Sequence, residues 1–187
     1  MPTSASTVMD IENCVKLYNS TQLSISLNSL IFSFLFMTAF ESLNTKQVKQ
    51  ILALLEKQWG FAEKLDYQFF VSKKEALYIA QRSVGEFDFT KVRVNSIGMY
   101  FGEMKDNRLR LSIEGAQLIG PHAIKQVLEL DDAQAVQWMN GQNIESAFFL
   151  TGAVIIKHGT DYLGSGQVKD GILFNYVPKV RRLNLDK

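Results

Sequence analysis

Five cations in the last third of the chain have the chemistry needed to bind phosphate groups. They are Lys157, Lys169, Lys179, Arg181 and Arg182. Lysine offers a point charge, whereas arginine offers a planar fork of donors that fits a phosphate and also stacks on flat rings. Glycines in the same stretch, including Gly141 and Gly164, would let a phosphate approach the backbone amides. The alternative interpretation is that Arg181 and Arg182 only cover one end of the fold.

Residues suited to catalysis or metal binding are few. The two histidines, His122 and His158, lie in separate parts of the chain, and the single cysteine is Cys14. A zinc site needs three or four such ligands together, so we expect no metal site. Ser165, His158 and Asp161 could form a triad on paper, but no nucleophile elbow or similar motif supports one. Since there is also no P-loop and no glycine loop for a cofactor, we predict no catalytic residues, no cofactor and no enzymatic activity.

The composition of the 187 residues is that of an ordinary globular protein. Apolar residues make up 47% and charged residues 21%, which provides ample material for a core. The net charge of +1 gives no overall attraction to nucleic acid, so any basic surface must be local. One cysteine cannot build an internal disulfide framework, which favours the cytoplasm.

Residues 1–36 differ from the rest of the sequence. They carry few charges, are rich in Ser, Thr and Asn, and run into the most apolar stretch of the chain. The stretch over 23–40 is about 18 residues long, but polar residues interrupt it and no basic region precedes it. Three interpretations stay open: a dispensable extension before a domain that starts at Met37, a core-packed helix or strand, and a membrane-associating segment. We expect the extension to add little to the core.

From Asn44 onward the pattern is regular. Asn44 or Thr45 is suited to cap a helix whose apolar residues recur at three- and four-residue spacing until Gly60. Alternation of apolar and polar residues then predicts two pairs of strands and a short helix. The strands span 65–71, 76–80, 97–103 and 109–113, and the helix spans 114–118. We expect Phe87 and Phe89, in the connection between the two pairs, to be buried.

The last third begins with a short strand from Val127 and a second amphipathic helix. Asp131 or Asp132 is suited to cap that helix, and Gly141 is suited to end it in a left-handed conformation. Three strands separated by polar turns that contain glycine follow. They span 153–157, 162–168 and 172–177.

This order of elements resembles the PUA domain, a small RNA-binding pseudobarrel named for pseudouridine synthases and archaeosine transglycosylases. The matching pieces are the helix that ends at Gly141, the strand after Gly152 and the Leu163-Gly164-x-Gly166 hairpin. Because a strand follows the Gly-x-Gly, it is not a dinucleotide-binding fingerprint. The resemblance implies that RNA binds beside the helix end, where Gln142 and Asn143 line the groove. A helix C-cap explains the same two residues equally well.

The segment 92–121 extends the resemblance. It contains I-G-x-x-F-G, then R-L-x-I, a short helix, Gly120 and Pro121, ahead of the stretch similar to a PUA domain. This order is similar to the Nip-seven (nuclear import protein) family of ribosome-biogenesis factors, although such pairs of domains also occur in tRNA-modifying enzymes and RNA cytosine methyltransferases. The resemblance implies an α+β chain. Its parts would be a low-charge extension at 1–36, an N-terminal pre-PUA α/β domain at 37–121 and a C-terminal PUA pseudobarrel at 125–185.

We therefore predict a non-catalytic RNA-binding protein that acts in ribosome biogenesis and rRNA processing by binding pre-ribosomal RNA in the cytoplasm. The alternative is an accessory or specificity subunit for an enzyme that modifies tRNA or rRNA. The expected partner is rRNA, with tRNA second and ribosome-assembly or RNA-modification proteins as further partners; DNA and membranes are not expected.

The residues predicted to bind RNA are Gly141, Gln142, Asn143, Lys157, Gly164, Lys169, Lys179, Arg181 and Arg182. The aromatic residues expected in the core rather than in contact with bases are Tyr100, Phe101, Phe148 and Phe149.

Overall fold

The computed structural model describes residues 40–87, 89, 94–145 and 148–183. These residues belong to one compact unit with two five-stranded sheets. The prediction of an α+β chain is confirmed. The predicted extension over 1–36 lies outside the described residues. Within the described ranges, no helix is both long enough and apolar enough to cross a membrane.

The first sheet is an antiparallel meander in the order β1-β2-β3-β4-β5. Its strands are β1 (Phe40–Ser42), β2 (Gln68–Ser72), β3 (Ala76–Ala80), β4 (Met99–Lys105) and β5 (Arg108–Leu111). Both strand pairs predicted for this region are confirmed. Strand β1 was not predicted, because three residues are too few to show an alternating pattern.

Helix α1 (Thr45–Trp59) covers one face of the first sheet. The Asn44 side chain accepts a hydrogen bond from the Gln47 amide, and the Gln47 side chain accepts one from the Asn44 amide. This capping box and Gly60, whose φ is 68°, set the two predicted ends of the helix. The buried face of the helix packs against the sheet through Ile51, Leu55 and Trp59.

The second sheet has the order β6-β8-β9-β10-β7 and curls into a half-barrel. Its strands are β6 (Val127–Glu129), β7 (Ile144–Glu145), β8 (Gly152–His158), β9 (Asp161–Lys169) and β10 (Ile172–Phe174). Strand β6 runs parallel to β8, and the remaining pairs are antiparallel. The predicted pairing of the strands around 154–157 and 162–168 is confirmed. This curled sheet is the arrangement that a PUA pseudobarrel requires.

Two further helices position the second sheet. Helix α2 (Ile113–Ile119) follows β5 directly and packs against β9, while helix α3 (Asp132–Met139) covers the core of the half-barrel. Ser165 on β9 donates a hydrogen bond of 3.0 Å to the Leu111 carbonyl on β5. Strands β5 and β9 are thereby held side by side, and a groove forms where the two sheets meet. The predicted domain boundaries stay a prediction.

Two local predictions were wrong. Phe87 is 57% exposed because the 3-10 turn before it, Arg82–Glu86, leaves the ring on the surface in contact with Phe89. The third strand of the last third ends at Phe174 rather than at Val177. The Asn175 side chain accepts a hydrogen bond of 2.7 Å from the Val177 amide, and this turn takes the chain out of the sheet.

Candidate nucleic-acid interface

The end of helix α3 forms a fixed turn on the surface of the half-barrel. Asp131 caps the start of the helix through a capping box with Gln134. After Met139 the chain turns at Gly141, whose φ is 80°, as predicted. The Arg182 side chain lies directly over Gly141, so a Cβ atom there would overlap the guanidinium group. Only glycine satisfies both the backbone angle and this close contact.

Asn175 holds this turn in place. Its amide nitrogen donates hydrogen bonds to the Trp138 carbonyl at 2.6 Å and the Gln142 carbonyl at 3.1 Å. Its backbone amide donates to the Asn143 side chain at 2.9 Å. Gln142 and Asn143 are exposed, but the backbone that carries them is therefore rigid. No sequence pattern identifies Asn175, because its partners Trp138 and Gln142 lie 37 and 33 positions earlier in the chain.

We expect Asn175→Ala to lower the free energy of unfolding by about 1–3 kcal/mol, because it leaves carbonyl and amide groups without partners. Urea denaturation measures this change, and hydrogen exchange of the Gly141 and Gln142 amides should become faster. Asn143→Ala is the control, since it removes one exposed hydrogen bond and should cost less than about 1 kcal/mol. Equal costs for the two variants would contradict the role given to Asn175.

Of the three cations after β10, Arg182 lies against this turn, and both arginines already have partners. Arg181 forms an ion pair with Glu114 at the start of helix α2. The Nε of Arg182 donates to the Val177 carbonyl at 3.0 Å. Lys179 is exposed and makes no ion pair with any described residue. Phosphate binding by Arg181 would thus require it to exchange its carboxylate partner for the ligand.

The structure does not bring Lys157 and Lys169 together. Lys157 pairs with Glu129 at 2.7 Å, and this hydrogen bond is the main cause of a lowered pKa for Glu129 and a raised pKa for Lys157. Lys169 is exposed at the other end of β9, 4.0 Å from Asp170. Lys157 pairs with Tyr162 near the start of β9, and Lys169 is the last residue of that strand. At about 3.4 Å per residue, the length of strand from Tyr162 to Lys169 separates the two lysines by roughly 24 Å. They cannot contact the same phosphate.

Gly164 lies in the groove between the two sheets. It is buried, with a φ of 105°, in the part of β9 that faces helix α2. Two shallow depressions meet in this groove and share Arg110, Ser165 and Tyr176 in their walls. The depression that contains Gly164 is also bordered by Tyr100, Glu103, Ser112 and Pro178. The other depression is bordered by Lys105, Arg108 and Gln167.

Arg110 and Tyr176 form the centre of the groove. The Arg110 guanidinium lies 4.0 Å from the centre of the Tyr176 ring, a cation–π contact between β5 and the segment after β10. The Tyr176 hydroxyl donates to the Gln167 side chain at 3.1 Å. Arg110 also contacts the carboxylates of Glu103 at 3.5 Å and Asp106 at 3.9 Å. In the sequence, Arg110 is the arginine of the R-L-x-I pattern, and no binding role was predicted for it.

Residues 125–183 match the family model described as the methyltransferase RsmF PUA domain. This part of the chain is a PUA-like domain. It contributes the Gly141 turn, Gly164, Tyr176 and all of the cations predicted to bind RNA. The first sheet contributes Tyr100, Glu103 and Arg110. No curated protein matches the chain.

Beyond the PUA-like domain, Tyr100 belongs to a row of aromatic rings on the first sheet. Its ring centre lies 5.5 Å from that of Tyr78, which lies 5.1 Å from that of Phe40. Burial, followed by the charge of Glu103, raises the pKa of Tyr100 to about 12. Tyr100 is only half-buried.

The core predictions for the other aromatic residues have different outcomes. Phe101 is fully buried in the first core, as predicted, and Phe148 packs against the second. The prediction for Phe149 was wrong, because its side chain is fully exposed.

The residues considered for catalysis have other contacts. His122 lies 2.9 Å from Glu63, and His158 lies 2.8 Å from Asp132. The Ser165 hydroxyl is buried and donates to the Leu111 carbonyl. In the described part of the chain, no group of three or more His, Cys, Asp or Glu side chains is placed to hold a metal ion.

Proposed function

We propose that this chain binds RNA through its PUA-like domain, without catalysing a reaction of its own. The observation that carries the proposal is the match of residues 125–183 to a PUA family model. The exposed Gln142 and Asn143 of the Gly141 turn, with the Arg182 guanidinium over Gly141, support the same conclusion. A rigid turn with nearby cations suits a phosphate backbone. Since the net charge is only +1, we expect modest affinity that depends strongly on salt.

Within this function, ribosome biogenesis is the first specific role. It is supported by the resemblance of the segment 92–121 and the PUA-like stretch after it to pre-PUA/PUA ribosome-assembly factors. The two sheets and their connecting helix α2 have the element order that this resemblance implies. On this proposal the chain escorts pre-ribosomal RNA in the cytoplasm together with other assembly proteins.

A role in RNA modification is the second candidate. The family model that matches is named for a methyltransferase, and this favours a link to an RNA-modifying enzyme. The chain would then act as an accessory or specificity subunit that presents tRNA or rRNA to a catalytic partner. Both roles use the same RNA-binding surface and differ in the RNA that is bound and in the proteins that accompany it.

Crosslinking in cells followed by sequencing of the bound RNA tests both roles. Recovery of pre-ribosomal RNA, together with co-sedimentation with ribosomal particles, would support ribosome biogenesis. Recovery of tRNA or of sites flanking a modified nucleotide, together with a co-purified modifying enzyme, would support the second role. A version of the chain that ends at residue 124 lacks the PUA-like domain. If the full chain yields no more RNA than this shorter version, the assignment of RNA binding to the PUA-like domain is wrong.

A further inference from the structure

The groove between the two sheets contains an arrangement that phosphate binding at the Gly141 turn does not use. Tyr100 and Tyr176 are among the residues that border it, and the Arg110 guanidinium and the Glu103 carboxylate lie between the sheets at its centre. We propose that this groove holds one unpaired nucleobase of the bound RNA. This inference rests on the proposed RNA-binding function and adds a base-binding site to it.

The groove presents charges of both signs, which suits the edge of a base. The carboxylates of Glu103 and Asp106 both lie within 4 Å of the Arg110 guanidinium. Lys105 and Arg108 border the adjoining depression. The edge of a base carries both acceptors and donors, so it can use the guanidinium as a donor and the carboxylate as an acceptor.

The aromatic rings supply the second requirement, a surface for stacking. Unpaired RNA bases stack on tyrosine rings and on arginine guanidinium planes. Arg110 stacked on Tyr176 presents such a plane, and its side chain is 22% exposed. The hydrogen bond from Tyr176 to Gln167 and the packing of Tyr100 on Tyr78 hold both rings before any ligand arrives. Preorganised rings lose little conformational entropy when a base binds.

The test is photocrosslinking of the full chain to single-stranded RNA homopolymers of each base, followed by mass spectrometry of the crosslinked peptides. We expect crosslinks at Tyr176, Tyr100 or both. In parallel, Tyr176→Leu should weaken RNA binding about tenfold, which is within the range for loss of one stacked base. Tyr176→Phe keeps the ring but loses the hydrogen bond to Gln167, so it should lose much less affinity than Tyr176→Leu. Tyr67→Ala changes an exposed tyrosine outside the groove and is the control.

The outcomes separate the groove from the RNA-binding function as a whole. If the wild type binds RNA but crosslinks only elsewhere, and Tyr176→Leu binds normally, the base site is wrong while RNA binding stands. If the wild type binds none of the homopolymers and no RNA in cells, both proposals fail. Should Tyr176→Leu not fold, the crosslink positions on the wild type decide the matter.

Discussion

Replacing Trp138 with alanine should lower the free energy of unfolding by about 3–5 kcal/mol, the range for deleting a large buried aromatic side chain. Trp138 is 0% exposed and belongs to the core of the PUA-like domain. It packs with Val154, Ile156 and Leu173 from the half-barrel strands. Helix α3 carries Trp138 next to the Gly141 turn, so its loss should also loosen the surface proposed to bind RNA. Urea denaturation monitored by circular dichroism measures the change.

Trp138→Phe is the matched variant. It keeps an aromatic ring in the core but removes the indole N–H, which donates to the Leu163 carbonyl at 2.8 Å. We expect a cost of about 1–3 kcal/mol from the carbonyl left without this donor, below the cost of the alanine variant. If both variants cost less than about 1 kcal/mol, Trp138 would not be a central packing residue of this domain.

Changing Arg181 and Arg182 together to alanine should flatten the salt dependence of RNA binding. About four phosphate contacts on single-stranded RNA give a log–log slope of roughly −3, from about −0.7 per contact. Removing two contacts should reduce the magnitude of that slope by about 1.4. Binding measured by fluorescence anisotropy over a series of salt concentrations tests this. The melting temperature should fall only slightly, because the exposed Arg181–Glu114 ion pair contributes little to stability and Arg182 loses one hydrogen bond, to the Val177 carbonyl.

Glu114→Gln tests the same surface in the opposite direction. Arg181 is paired with Glu114, so RNA must compete with this carboxylate for the guanidinium. Removing the carboxylate charge should strengthen RNA binding by up to about fivefold, the equilibrium equivalent of an exposed ion pair. The variant keeps the size and shape of the side chain.

Lys49 and Lys57 are the control for both changes. They are exposed on helix α1, which packs against the first sheet and lies outside the PUA-like domain. Their replacement by alanine should alter neither the slope nor the melting temperature. An unaltered slope in the Arg181/Arg182 variant, combined with a lower melting temperature, would show that these arginines only cover the end of the half-barrel.

The sequence by itself determined the existence and order of most elements and the ends of helices α1 and α3. Asn44, Gly60 and Gly141 act on backbone groups within a few residues of themselves, so their effect can be read without the rest of the fold. The β8–β9 hairpin likewise follows from alternation around a glycine-containing turn. These local signals also carried the resemblance to a PUA domain, since that resemblance depends on the order of elements.

Short strands, and the end of strand β10, were decided by tertiary contacts. Strands β1 and β7 have three and two residues, too few for periodicity to detect. They exist because neighbouring strands β2 and β10 offer edges to pair with. Strand β10 stops at Phe174, and the next residue, Asn175, donates its side-chain hydrogen bond to the Trp138 carbonyl 37 positions earlier in the chain.

The arrangement of the candidate site was decided almost entirely by the tertiary structure. Lys157 and Lys169 share a basic stretch of sequence but lie at opposite ends of a hairpin. Arg110 and Tyr176 are remote in sequence, yet they stack because β5 is held beside β9. Contacts of this kind depend on which strands become neighbours, and a strand's own residue pattern records its buried face but not the identity of its partners.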